Sequence, residues 1–148
     1  MTNQLHLKEV SSNYKLIKGQ PLLIACVPKE DIRTLFPDWS WLNLGLILAE
    51  NILNLPSGQR KHKVADYVQE VIASQKEDKL IVENIDLLFN PHYELDVLQV
   101  LAAAARTKKL VVIWEGRYDS GMLFYSELKL LDYHSYDPKQ YNALCITD

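Results

Sequence analysis

The segment Val27-Pro28-Lys29-Glu30-Asp31-Ile32-Arg33-Thr34 follows an apolar run and ends in a cation beside a hydroxyl. Its length and placement match a phosphate-binding loop of the form G-x-x-x-x-G-K-[ST]. In such a loop the glycines let successive backbone N–H groups wrap a phosphate, and the lysine neutralises its charge. Here Arg33-Thr34 falls where Lys-Thr belongs, but Val27 and Ile32 stand in place of the glycines. A β-branched side chain is a poor occupant of any position that needs φ > 0. Pro28 removes one amide donor, and Glu30 and Asp31 put carboxylates where a polyphosphate would lie. Two like charges ~4 Å apart repel by about 4 kcal/mol at an effective dielectric of 20. Lys29 and Arg33 are the cations left to compensate. Three readings follow: a phosphate loop that has lost its function or been remodelled, which we favour over an active one, and a plain strand-to-helix connection.

A second segment, Leu80-Ile81-Val82-Glu83-Asn84, is a hydrophobic run ending in an acid. This is the pattern in which a carboxylate holds Mg²⁺ at a nucleotide site. Glu83 takes the acid's place. Asn84 stands where a water-activating glutamate often stands, and an amide cannot act as a general base at neutral pH. A third run ends at Trp114-Glu115, where Glu115 occupies a sensor position with the wrong charge for reading a γ-phosphate. Arg106 ends the preceding helical segment. It reads either as an arginine finger toward a neighbouring copy or as a solvated cation favourable to a helix C-terminus.

Other residues carry weaker signals. Arg60-Lys61-His62-Lys63 opens a helix as a basic run. It suits contact of Arg60, Lys61 and Lys63 with a phosphate backbone or an acidic partner, or simply a solvated helix start. Tyr118, Phe124, Tyr125, Tyr133 and Tyr136 crowd one region. Some belong to a core, and the cluster is also a candidate protein interface. His6, His62, His92 and His134 lack ligand spacing, so no structural metal is expected. No Gly-x-Ser-x-Gly or comparable nucleophile motif is present.

The elements that must position these residues follow from the apolar pattern. Pro21 to Val27, Lys79 to Glu83, Leu110 to Trp114 and Asn142 to Thr147 read as strands without alternation, hence buried on both faces. Trp39 to Trp41 reads as a shorter strand. Helices are expected over Leu42 to Leu53, over Arg60 to Gln75, and from Pro91, capped by Asn90, to Arg106. A brief charged helical turn covers residues 29–36. Leu5, Leu7 and Val10 fit one side of a short helix in an N-terminal extension over 1–20, and the aromatic stretch after Gly116 reads as irregular. Buried strands alternating with helices imply a three-layer α/β fold, a parallel sheet with helices on both faces. Ligands of such sheets sit at the carboxyl ends of the strands.

Composition sets the outer bounds. The chain has 148 residues, 48% hydrophobic and 24% charged, with a net charge of −3, so one globular domain over 1–148 is expected and no overall pull toward nucleic acid. Cys26 and Cys145 sit in apolar runs, like core residues of a reducing compartment. No apolar run approaches the ~20 residues that span a bilayer, and the expected location is the cytoplasm, with no membrane partner.

Three further groups of segments carry a family resemblance. They are Trp41-Leu42-Asn43-Leu44 with Asn51-Ile52-Leu53-Asn54-Leu55-Pro56, Glu83-Asn84-Ile85-Asp86-Leu87-Leu88-Phe89-Asn90-Pro91, and Val112-Ile113-Trp114-Glu115-Gly116-Arg117-Tyr118 with the aromatics that follow. Over most of residues 21–147 the chain resembles BrxF, the small P-loop protein of type III BREX phage-exclusion systems. The resemblance implies a P-loop NTPase fold of ASCE/AAA-like type and BREX-type defence proteins as partners. The chain departs from the family at the glycine-rich GKT, at Glu83, usually aspartate, and at Glu115. Those departures fall on the nucleotide site. The expected role is therefore a catalytically silent interaction or regulatory protein, with no cofactor. The alternatives are a weak ATPase using ATP and Mg²⁺, working as a homo-oligomer with a neighbour's Arg106, and a DNA-binding adaptor using residues 60–63.

Overall fold

A computed structural model of the chain describes residues 3–13, 15, 17 and 19–148. Six strands form one parallel sheet: β1 (Gln4–His6), β2 (Leu22–Ala25), β3 (Ser40–Asn43), β4 (Lys79–Glu83), β5 (Lys109–Ile113) and β9 (Ala143–Thr147). Their spatial order is β1-β9-β2-β5-β4-β3. The register aligns Ala25 with Ile113 and Ile146, and Asn43 with Glu83, so the carboxyl ends of β2, β4 and β5 share one rim.

Alternate residues of each strand serve opposite faces, because the side-chain period of a strand is two. Leu22, Ile24, Leu80, Val82, Leu110 and Val112 meet α2 (Leu44–Ile52), α3 (Ser57–Ala73) and α4 (Val97–Ala104). Leu23, Ala25, Ile81, Val111 and Ile113 face the other way. They are covered by Ile32 and Phe36 from α1 (Lys29–Leu35) and its end, and by Val10 and Ile17. The expected three layers are present. No described helix is long and apolar enough to cross a membrane.

A second sheet occupies the stretch read as irregular. β6 (Arg117–Asp119), β7 (Met122–Tyr125) and β8 (His134–Tyr136) are antiparallel. Ser120 and Gly121 join β6 to β7 with φ of 51° and 85°. Positive φ at both central residues is the hairpin turn whose twist matches its strands. Buried Leu123 and Tyr136 anchor this sheet on the main core.

Other expectations need correction. Leu5 lies in β1, an edge strand paired with β9, and Leu7 opens a 3₁₀ turn, Leu7–Glu9; the expected short helix over Leu5, Leu7 and Val10 does not form. The helix expected from Pro91 to Arg106 is broken. Pro91–Tyr93 is a single 3₁₀ turn, Glu94 turns left-handed at φ 50°, and a new helix starts after Asp96. Asn90 does cap as expected, accepting from the His92 N–H, but Asp96 caps the longer piece through the Gln99 N–H. Strand β3 runs two residues past Trp41, so α2 begins at Leu44, where Asn43 accepts from the Leu46 N–H.

Candidate functional site

From Lys29 on, the segment 27–34 is helix rather than loop. Between β2 and α1 lie Cys26, Val27 and Pro28 alone, and α1 begins at Lys29. Three of the backbone donors there are committed, and a fourth is missing. The Cys26 N–H donates to the Ile146 carbonyl at 2.8 Å, extending the sheet. Pro28 has no N–H, and the amides of Asp31 and Ile32 turn inward to the Pro28 carbonyl at 3.1 and 3.4 Å. A phosphate cradle needs several consecutive amides pointing at one spot, and here Pro28 interrupts the run while the Cys26, Asp31 and Ile32 amides are spent. Val27, which could not take a glycine's backbone, is buried against the core instead.

The side chains of this segment go separate ways. Lys29 reaches inward, and its Nζ donates to Glu83 Oε1 at 3.0 Å. Arg33 lies on the exposed side of α1 with its guanidinium 4.9 Å from the Trp41 ring centre. Thr34 Oγ1 donates to the Glu30 carbonyl at 3.1 Å, as helical threonines often do. Mg²⁺ at such a site would take a hydroxyl and a carboxylate as oxygen ligands. Thr34 is turned back on its own helix and Glu83 is held by a lysine, so the residues present do not fit it. Among the described residues no group of histidine, cysteine or acid side chains is arranged to hold a metal.

Around Lys29 a charged cluster forms on the shared rim. Glu83 ends β4, Asn84 follows at φ 59°, and Asp86 opens the 3₁₀ turn Asp86–Phe89. Gly45, one residue into α2, makes room for this bend, because a Cβ there would overlap the Asn84 carbonyl. Glu115 extends from the end of β5. Burial first, then a hydrogen bond with Asp86 and its charge, raise the Glu115 carboxyl to about 7, against Lys29 and the Asn84 amide, which lower it. A carboxyl with that value can hold or release a proton near neutrality.

Tyr125 closes the cluster on one side. Its hydroxyl donates to Asp86 Oδ1 at 3.3 Å, and its ring stacks on Phe89 with centres 3.6 Å apart. Burial, then the nearby Asp86 and Asp132 charges, push its hydroxyl up to about 12. Trp114 Nε1 donates to the Phe124 carbonyl at 3.1 Å, tying β5 to the small sheet.

The structure thus brings together Lys29, Glu83, Asn84 and Glu115 of the residues singled out in the sequence. Arg33 and Thr34 are turned away from them. Arg106 stands beside Pro21, Lys79 and Lys109, which precede or open β2, β4 and β5, so it is at the opposite rim of the sheet. It can reach a nucleotide site only on another copy. Arg60 and Lys61 line a separate cleft of about 430 Å³ with Gly58, His92 and Tyr93. There Lys61 pairs with Glu94 at 3.0 Å and Arg60 Nε donates to the Leu55 carbonyl at 3.2 Å; Lys63 is exposed on the same helix.

The aromatic cluster divides. Tyr136 is core: its hydroxyl accepts from the Val97 N–H at 3.2 Å, and burial raises it to about 12. Tyr118 donates to Gln4 Oε1 at 3.3 Å, and Tyr133 is half-buried beside β8. Sequence reasoning missed Asp86 and Asp132. The signal for Asp86 was an acid three residues past a strand that already ends in one; none pointed to Asp132. Comparison of the chain with protein-family models, with curated proteins and with solved structures finds no match.

Proposed function

We propose that this chain is a P-loop-type α/β protein of the ASCE/AAA-like kind whose nucleotide face is closed by its own side chains, and that it acts as a non-hydrolysing interaction or regulatory protein. The setting proposed with it, a BrxF-like component of a BREX-type defence system, rests on the sequence resemblance. Support for the fold assignment comes from the sheet: β5 is inserted between β2 and β4, and so separates the loop-bearing strand from the acid-bearing strand, as the ASCE form entails. All of these strands run parallel, with the charged residues at one rim.

The observation that carries the silent-site reading is the ion pair between Lys29 and Glu83. A cation suited to phosphate and an acid suited to Mg²⁺ are engaged with each other. A triphosphate entering here would have to part them and then face the carboxylates of Glu30, Asp31 and Asp86 beside a run of amides broken at Pro28. Calorimetric titration with ATP and Mg²⁺ tests this. The expected result is no binding tighter than about 100 μM, a weak regime for a nucleotide site. Binding below that concentration would remove the silent-site reading.

A second reading, a nucleic-acid adaptor, draws on the basic cleft at the start of α3. It predicts a salt-dependent shift of duplex DNA that charge reversal at Arg60, Lys61 and Lys63 abolishes. The internal pairing of Lys61 with Glu94 makes it the weaker of the two.

A further inference from the structure

The loop joining β7 to β8 carries Leu128, Leu130 and Leu131 at 70%, 55% and 90% exposure. Single exposed leucines are ordinary. Three of four consecutive positions on one pinned loop are not, and such patches mark binding surfaces. The loop is built rather than slack. Ser126 Oγ donates to Asp132 Oδ1 at 2.6 Å, Arg117 donates to the Ser126 carbonyl at 3.1 Å, and the Leu130 and Tyr133 amides close successive turns onto the Glu127 and Leu130 carbonyls. Ser126 and Lys129 hold left-handed backbone at φ 64° and 87°. Non-glycine residues take that conformation at a cost, and it persists where surrounding structure imposes it. The leucines face solvent from this bonded loop.

The surroundings say what would cover them. Tyr125, the residue before this loop, is bonded to Asp86, and its hydroxyl lies within the fields of Asp86, Asp132 and Glu115. Glu127 adds another exposed carboxylate. Of the cations nearby, Lys29 is paired with Glu83, and Arg117 lies over the Phe124 ring while bonding the loop; Lys129, exposed within the loop itself, is outnumbered by Glu127, Asp132, Asp86 and Glu115. An apolar tip beside an acidic rim is complementary to a segment that alternates apolar and basic residues. We infer that the Leu128–Leu131 loop and the Asp86–Glu115 rim together form a docking surface for a basic, amphipathic segment of a partner protein. This inference rests on the interaction-protein reading above and names the chemistry of its partner.

The rim adds a signature. Glu115 faces Asp86, Lys29, the Asn84 amide and Tyr125, with Glu83 behind Lys29. Its carboxyl titrates near neutrality because Asp86 and burial oppose its charge. A partner cation seated between Glu115 and Asp86 favours the ionised form, so binding releases a proton and tightens as pH rises.

The test is fluorescence anisotropy with a labelled amphipathic peptide of leucine and lysine, beside its leucine and glutamate counterpart. The lysine peptide is expected to bind and the glutamate peptide not. The combined Leu128→Ser, Leu130→Ser and Leu131→Ser variant should weaken binding at least about tenfold while keeping its circular dichroism, since these side chains support no core. Between about pH 6 and pH 8 the affinity of the unaltered chain should rise several-fold, and Glu115→Gln should flatten that dependence. Equal binding of both peptides, or unchanged binding by the leucine variant, overturns the inference. So does a dimer in sedimentation that the leucine variant dissolves, which would assign the surface to a second copy. Binding to phosphatidylserine vesicles without binding to the peptide would assign it to lipid and overturn it too. The ATP titration is independent: nucleotide binding with intact peptide binding sinks the silent-site reading alone, and absence of both sinks this inference alone.

Discussion

Two turns leave the same rim of the sheet and are held in opposite ways. After β2 the chain enters α1, and besides the packing of Ile32 and Phe36 on the sheet an ion pair between partly exposed side chains, Lys29 and Glu83, ties it to β4 two strands away. After β5 the chain passes Gly116 and folds into a small sheet locked by packing, with Trp114, Phe89, Tyr125 and Tyr136 in ring contact. The first turn adds a charged, adjustable tie to its packing, and the second is held by packed rings. A nucleotide enzyme needs its first turn rigid and open. In this chain the ring packing lies on the other side, under the apolar loop, as the proposed docking surface requires.

The largest expected effect breaks the fixed side. A Cβ on Gly116 would overlap the Phe124 carbonyl and crowd the Trp114 ring nitrogen. Because the nearest atom is backbone, relief requires moving β7. Gly116→Ala should destabilise the fold by about 2–3 kcal/mol, the range of overpacked cores. Urea denaturation measures it, and a loss below about 0.5 kcal/mol would mean that this turn is as adjustable as the other.

Next is Tyr136→Phe. The hydroxyl is the acceptor for the buried Val97 amide at the start of α4. Removing it leaves that N–H without a partner, at about 1–2 kcal/mol. The small sheet should loosen with it, so protease cleavage within residues 126–133 should accelerate. Unchanged cleavage would separate the loop's order from the aromatic packing and weaken the contrast.

How legible this contrast was in the sequence differs between its halves. The strands β2, β4, β5 and β9 announce themselves as unbroken apolar runs, because a strand buried on both faces has no polar side to show. That residues 27–34 make a poor phosphate cradle was also readable, since Val27 and Ile32 are poor substitutes for glycine. The pairing of Lys29 with Glu83 was not, because they are 54 positions apart and only the sheet order brings them together. The small sheet was hidden for another reason. Its strands, three to four residues each, fall below the length at which alternation can be read, although Asp119-Ser120-Gly121 carried a turn signal. The late start of α4 after Asp96 was masked by Leu95, Leu98 and Leu101, whose helical spacing begins before it.

A smaller effect probes the rim between the two turns. Glu115 binds its proton more tightly in the folded chain than at its ordinary value of 4.5, with the folded value about 7. Its contribution to stability is therefore fully present below about 4.5 and is lost as pH rises through about 7. Glu115→Gln should cancel that decline. The difference between the two chains, followed by thermal denaturation across this range, should stay below about 1 kcal/mol because the group is largely exposed. A difference of the opposite sign would mean that Lys29, rather than Asp86 and burial, dominates the rim.

The smallest effect bears most directly on function. A double-mutant cycle over Lys29→Met and Glu83→Gln isolates the energy of the ion pair that closes the β2–α1 turn. With the Lys29 and Glu83 side chains 36% and 19% exposed, most of the Coulomb gain is offset by desolvation and by ordering a long lysine. The coupling should be about 0.5–1 kcal/mol and should shrink as salt is raised, since partly exposed pairs are screened. A coupling above about 3 kcal/mol, insensitive to salt, would make the first turn as rigid as the second and erase the distinction between them. The expected small value carries a further consequence. Glu83→Gln frees Lys29 at little cost to stability, so if the ion pair alone kept ATP out, this variant would bind it. The committed amides of Cys26, Asp31 and Ile32 would remain, however, and they are the reason to expect that calorimetry on Glu83→Gln still finds no nucleotide binding.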